Sequence, residues 1–247
     1  KITSGEHSSG SSWNSLDSAG TNKIEIKFSN GTTDDTTDGY KSHTAFTFGT
    51  DELTGIWVAK YEASRNDATS SSAGSGTTVT FKPGVVSWRE LSVSQMYDYS
   101  YNLDRNLDSH LMKNVEWGAV AYLTNAIGRI PYKNNSSSYI TGNAGGIQDA
   151  SEASGVTNAW NTAGGVKAST THNVYGIYDM SGGAWEYVAA YYTGGSSSYI
   201  SSLTSAADKY VDRYSTAYSA SKKGDAVYET SSSSSSTTSW DGDYSLA

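Results

Sequence analysis

Tyr175-Gly176-Ile177-Tyr178-Asp179-Met180-Ser181-Gly182-Gly183-Ala184-Trp185-Glu186-Tyr187 is a return to order in a chain that is mostly polar. A β-forming run, Val174 to Asp179, leads to a paired glycine and then to a second aromatic run ending at Val188. Upstream, Tyr132 to Ala168 is rich in Asn, Ser, Gly and Ala without periodicity and reads as long surface loops. Downstream, the six serines Ser231–Ser236, within a longer Ser/Thr tract, form a low-complexity connector.

Working back toward the N-terminus, Asn114 reads as the N-cap of a helix from Val115 to Asn125. Trp117, Val120, Ala121 and Thr124 recur at i, i+3, i+4, i+7, and Gly128 supplies the stop. Ser87-Trp88-Arg89-Glu90 fits a capping box, which predicts a first helix running from Ser87 to about Tyr99. Ser205 with Asp208 three residues on predicts a third helix through Tyr214. Gly55–Glu62 is a β-rich run, and Ser70–Thr78 a Ser/Gly/Thr loop. Lys23–Phe28 alternates charge with Ile24, Ile26 and Phe28, the period of a half-buried strand, and ends at the turn dipeptide Asn30-Gly31. Thr44–Gly49 is a candidate second strand. Two main helices among short strands and very long loops predict an α+β fold rather than a parallel α/β one.

The composition narrows the function classes. The 247 residues include 17 Lys+Arg against 25 Asp+Glu, a net charge of −8. Without a basic stripe, a nucleic-acid partner is not expected, because phosphate contacts need clustered positive charge. No stretch approaches the ~18 apolar residues of a membrane span, so none is expected. A cysteine count of zero excludes thiol nucleophiles and thiolate metal sites within the sequence. The seven Trp and 19 Tyr argue against global disorder. Two prolines amid abundant Ser, Thr, Gly and Tyr suit a displayed or secreted protein, so the expected location is extracellular, on a bacterial surface or a virion.

Candidate chemistry is sparse. His7, His43, His110 and His172 make no metal-ligand pair, and no G-x-S-x-G elbow is present. Asp34–Gly39 only echoes a calcium loop, since the distal bidentate Glu is missing. Gly142–Gly146 lacks the Lys-Ser/Thr of a phosphate cradle. The aromatics carry more. Trp57, Trp88, Trp117 and Trp185 read as core anchors. Trp160, Tyr191, Tyr192, Tyr199 and Trp240 adjoin Gly/Ser/Asn-rich stretches, which is the composition of an adaptable binding loop, and they are the candidate binding residues.

Four segments, in order, resemble the formylglycine-generating enzyme (sulfatase-modifying factor) family, a branch of the C-type-lectin-like fold. Ile56–Ser64 is similar to F-x-M-G-x-Y-E-V-T, Pro83–Glu90 to P-V-x-x-V-S-W-x-x-A, and His110–Trp117 to R-L-P-T-E-A-E-W. Tyr175–Tyr187 resembles G-L-Y-D-M-x-G-N-V-W-E-W. The resemblance covers Leu53 to Tyr192 and extends to bacterial and prophage proteins that use the fold to display ligand-binding loops. It implies a C-type-lectin-like domain at 51–230, preceded by a strand and loop extension at 1–50 and followed by a Ser/Thr-rich tail at 231–247. The family's oxidase chemistry needs a cysteine pair, which is missing here, so the expectation is not an enzyme. The family's closing R-G-G-S and G-F-R segments are not met before Ala247, so a longer parent or a completing neighbour is expected. The family also implies calcium, held by Ser181, Gly182, Ala184 and Glu186, although Gly183 stands where the family has Asn.

The expected function is a non-catalytic module that binds a cell-surface or glycan ligand. The alternatives are a subunit of a pilus, fibre or tail that assembles with neighbouring subunits by strand pairing, and a degenerate or truncated oxidase.

Overall fold

The computed structural model describes residues 27–29, 40–42, 44–129, 131–135, 138–144, 155–194 and 198–214. The calcium-like run Asp34–Gly39, the Ser231–Ser236 tract, Trp240 and the side chain of Tyr192 lie outside them, as does most of the 1–50 and 231–247 organisation.

The fold is α+β. Strand β1 (Lys27–Ser29) pairs antiparallel with β2 (Tyr40–Ser42), β3 (Thr47–Phe48) with β4 (Asp51–Glu52), and β5 (Ala63–Arg65) with β6 (Val79–Phe81). β7 (Ala190–Tyr192) pairs in parallel with β8 (Asp212–Tyr214). Among the described residues, three helices, α1 (Val93–Tyr101), α2 (Asn114–Ala126) and the short α3 (Ser201–Ser205), lie among these pairs.

α1 starts later than Ser87. The capping box is Ser92 with Gln95: the Gln95 N–H donates to Ser92 Oγ at 3.2 Å, and the Ser92 N–H donates to Gln95 Oε1 at 2.9 Å. Ser87 is spent elsewhere, its hydroxyl donating to Glu62. The Trp88 N–H bonds the Ala63 carbonyl at 2.9 Å, and Glu90 at φ 62° cannot sit in a right-handed first turn.

α2 lies where the periodicity put it, but Asn114 is not its cap. The Lys113 N–H donates to Glu116 Oε2 at 2.8 Å, whereas Asn114 Nδ2 reaches Tyr214 Oη at 2.8 Å across 100 residues. Gly128 follows the helix at φ 65°, a left-handed stop that glycine adopts without strain.

The third predicted helix is instead α3, a 3-10 turn at Asp208–Tyr210, and β8. Ala206 and Ala207 are extended, with ψ of 153° and 145°, which breaks any continuous helix. Asp208 pairs with Arg213 at 2.7 Å rather than capping a helix.

Two apolar clusters hold these pieces. Phe48, Val93, Tyr97, Ala189, Tyr191, Ile200, Leu203, Tyr210 and Val211 form the first, between α1, α3 and β7. Phe46, Val120, Ala121 and Met180 form the second, with Ile56, Val58, Trp117 and Ile177 against it. The extended run 55–62 lies beside the Tyr175–Tyr187 stretch, with the Tyr178 N–H on the Lys60 carbonyl at 2.9 Å. The strand itself begins just after that run, at Ala63.

The expected tryptophan anchors divide. Trp88 is buried and Trp117 packs on the second cluster, but Trp57 and Trp185 are each 82% exposed. For Trp57 the cause is the period of two: Ile56 and Val58 turn inward, so the residue between them faces water. Beyond the glycine pair it is the Glu186 carboxyl, rather than the Trp185 indole, that reaches a partner across the chain, at Trp117. The loop region 132–168 is also less superficial than its composition suggests, because Asn134, Ile140, Thr141 and Ala168 are all buried.

Candidate functional site

The glycine pair makes a turn that brings three carboxylates together. Gly182 (φ 80°) and Gly183 (φ 82°) are both left-handed, and a Cβ on Gly182 would collide with the Asn134 carbonyl. Asn134 is fully buried and fastens the turn. Its N–H donates to the Ser181 carbonyl at 2.9 Å, its Nδ2 to Asp179 Oδ1 at 2.6 Å, and its Oδ1 accepts from the Asn135 and Thr141 N–H groups, each at 3.0 Å.

Asp179, itself left-handed at φ 65°, is the buried centre. Glu62 accepts from the Ala184 N–H at 2.7 Å and from the Ser87 hydroxyl. Glu186 Oε2 accepts from the Trp117 indole N–H at 3.1 Å. All of these donors are neutral, so the carboxyl groups hold protons unusually well.

Burial pushes Asp179 up to about 6, against the bond from Asn134. Burial pushes Glu186 up to about 8, with the Asp179 charge adding and the Trp117 bond opposing. Glu62 is raised by burial first and then by Asp179, with the Ser87 hydroxyl pulling the other way. As whole residues Glu62 is half-buried and Glu186 exposed, so water screens part of their shifts; Asp179, 5% exposed, feels burial most fully.

Beside this trio lies a small, shallow cleft, open to solvent. Tyr61, Trp160 and Tyr178 supply its aromatic wall, Glu62 and Asp179 its acidic side, and Ser87, Thr141 and Asn143 its hydroxyl and amide groups. Tyr61 stacks on Tyr178 with centroids 5.5 Å apart, and Trp160 meets Tyr61 edge-on at 5.6 Å. The Tyr178 hydroxyl donates to the Trp160 carbonyl, which fixes the loop bearing Trp160 against the run from Val174 to Asp179. Lys60 lies against the same rings, with Nζ 5.3, 5.7 and 5.9 Å from the centroids of Tyr61, Trp160 and Tyr178, and it donates to the Val174 carbonyl.

The residues proposed from sequence for binding scatter. Trp160 stands in the cleft wall, and Tyr199 is 68% exposed. Tyr191 is a correction: its ring is buried in the first cluster, because β7 pairs with β8 and turns that face inward. Tyr192 (side chain) and Trp240 lie outside the described residues.

For the expected calcium ligands, the Ser181 carbonyl already accepts from Asn134, and Glu186 already accepts from Trp117. Among the described residues, no group of three or more His, Asp or Glu side chains is arranged to hold a metal. Also among them, no helix is long and apolar enough to cross a membrane.

Sequence reasoning missed Asn134, and nothing in its Asn/Ser-rich surroundings marked it. Glu62 and Asp179 did stand inside the family-like segments, where only their order along the chain drew notice. Compared with known proteins, the chain matches no family model and no curated sequence, so the functional reading rests on this cleft and its charges.

Proposed function

We propose that the chain is a non-catalytic binding module of C-type-lectin-like architecture, working outside the cell on a bacterial surface or virion. It takes a cell-surface or glycan ligand. The cleft walled by Tyr61 and Trp160, with the buried Tyr178 behind them, and furnished with Ser87, Thr141 and Asn143 carries the reading. Flat aromatic faces beside hydroxyl and amide groups suit the mixed apolar and polar faces of a sugar ring. The exposed indoles of Trp57 and Trp185 add apolar contact area outside the cleft.

The test is a glycan and whole-cell binding screen with the full chain, repeated with Trp160→Ala. Saturable binding that the variant loses supports the module. Absence of binding to every glycan and cell type, with the fold intact by circular dichroism, overturns it.

Calcium at Ser181, Gly182, Ala184 and Glu186 belongs to the same proposal, supported by the Glu186 carboxyl group, whose hydrogen-bond donor is the neutral Trp117 indole. A cation that binds only the folded state raises stability by about 2.7 kcal/mol at one hundred times its Kd. An unchanged melting temperature in millimolar calcium against chelator removes it.

A further inference from the structure

A buried knot of charge joins the loop before α2, the first turn of α2 and β8. Two carboxylates share that turn. Glu116 accepts from the Lys113 N–H at 2.8 Å, and Asp212, reaching over from β8, accepts from the Val115 N–H at 2.9 Å. Lys113, Asn114 and Glu116 are all buried. Two cations answer the carboxylates: His110 Nε2 lies 3.1 Å from both Glu116 oxygens, and Lys113 Nζ lies 3.9 Å from Glu116 Oε1 and over the Phe48 ring. On its other side His110 Nδ1 meets the Asp108 carbonyl at 2.6 Å, and its ring packs against Phe48 and Tyr210. The Asp108 carboxylate, also beside His110, is matched by Lys209 at 3.0 Å and takes the Tyr210 hydroxyl proton, so that pair leaves the balance of the knot unchanged.

Only an imidazolium gives a proton to a carbonyl and to a carboxylate at once. Loss of one proton turns a lone pair toward Glu116 and leaves two carboxylates against the single Lys113 ammonium, an imbalance that a folded interior carries at high cost. Glu116 is fixed by its place in α2. Asp212 is the movable partner, because β8 is three residues long. Its other ties are the bond of its Asp212 N–H to the Ala189 carbonyl, that of the Thr193 N–H to the Tyr214 carbonyl, the Asn114–Tyr214 side-chain bond and the exposed Arg213–Asp208 pair. We propose that His110 works a pH-sensitive clasp: protonated, it lets Glu116 and Asp212 share the start of α2 and keeps β8 docked, and deprotonated, it releases β8 from α2 and from β7. The titration directions agree. Burial opposes the imidazolium, but the Glu116 bond and charge leave His110 raised. Asp212 is pushed up to about 6 by burial, with Lys113 opposing and the Glu116 charge adding, so the two carboxyl groups feel one another. Both raised groups hold the clasp shut at low pH and loosen it as pH rises. The device stands apart from the cleft and its ligand.

The experiment is amide hydrogen exchange of the full chain, read by NMR from about pH 6 to about pH 8.5 and corrected for the intrinsic pH dependence of exchange. The Asp212 and Thr193 amides are expected to lose protection about tenfold across the midpoint of the His110 ring titration, while the amides of α1 keep theirs. His110→Gln, which never carries the charge, should leave β8 at its unprotected level throughout the range with α1 still protected. Asp212→Asn, which removes one of the two carboxylates, should erase the pH dependence and keep β8 docked. Protection at Asp212 and Thr193 that stays constant across the midpoint, or that falls in step with α1, overturns the clasp in the wild-type chain alone, whatever the variants do. A wild-type pH dependence that persists in His110→Gln overturns the role of His110. One that persists in Asp212→Asn overturns the role of Asp212, and this variant decides the matter if His110→Gln fails to fold.

Discussion

Trp117 and Glu186 are joined across 69 residues by an indole N–H donating to a carboxylate oxygen at 3.1 Å. The bond ties α2 to the strip beyond the glycine pair and leaves Glu186 facing the Asp179 charge.

The carboxyl trio makes stability fall as pH rises. Glu62, Asp179 and Glu186 all bind their protons more tightly folded than unfolded, so the native state carries more protons across the window. Stability should therefore decline from the ordinary carboxylate range upward, through about 6 for Asp179 and about 8 for Glu186. Asp212, raised by burial to about 6 despite its bond from the Val115 N–H, adds the same sign. Melting curves from pH 5 to 8, at roughly one-unit steps, check this, and Glu186→Gln should flatten the upper half of the profile. A stability that climbs across that window would contradict the coupling.

His110 is doubly engaged and should titrate high. Its Nδ1 donates to the Asp108 carbonyl at 2.6 Å while Nε2 faces both Glu116 oxygens at 3.1 Å, and only an imidazolium donates on both sides. Burial alone would lower its pKa, but the bond to Glu116 and the Glu116 charge outweigh that, and the result is raised. Its contribution to stability is complete below the ordinary histidine range and is lost as pH passes the raised value. Proton NMR of the His110 ring should place its midpoint above that of a histidine in the unfolded chain.

Exposure separates Trp185, expected to be a core anchor, from Leu203, which is fully buried. Trp185→Ala should change unfolding free energy by no more than about 0.5 kcal/mol, as for an ordinary surface site. Leu203→Ala, in a fully buried position of the first cluster, should cost about 2–5 kcal/mol. Urea denaturation of the two variants tests both at once.

The glycine turn tolerates no side chain at Gly182. Gly182→Ala combines a left-handed φ of 80° with a collision against the Asn134 carbonyl, and strain of this kind costs about 1–3 kcal/mol. Asn134→Ala, which strips the buried Asp179 carboxyl of its amide donor, should cost about 1.5–3 kcal/mol. Thermal melts should show both losses, and the double variant should lose less than their sum because the residues share one junction.

What the residues declare by themselves is local. The 3.6 period of Trp117, Val120, Ala121 and Thr124 marked α2, and Gly128 marked its end, because both signals act within a turn or two of backbone. The mixture of helices and short strands was legible for the same reason. Ser87 misled because a capping pattern is only an offer: the hydroxyl found Glu62, 25 residues away, a better partner than its own backbone. The cleft was not legible, since Tyr61, Trp160 and Asp179 come from three separated segments and share no periodicity.

Sequence alone therefore determined α2, its stop and the α+β mixture, all of which follow from neighbours along the chain. Tertiary structure decided which tryptophans are wet, where Asn134 is buried and which carboxyl groups crowd together. Those outcomes depend on desolvation and on partners up to 122 residues distant, as between Ala184 and Glu62.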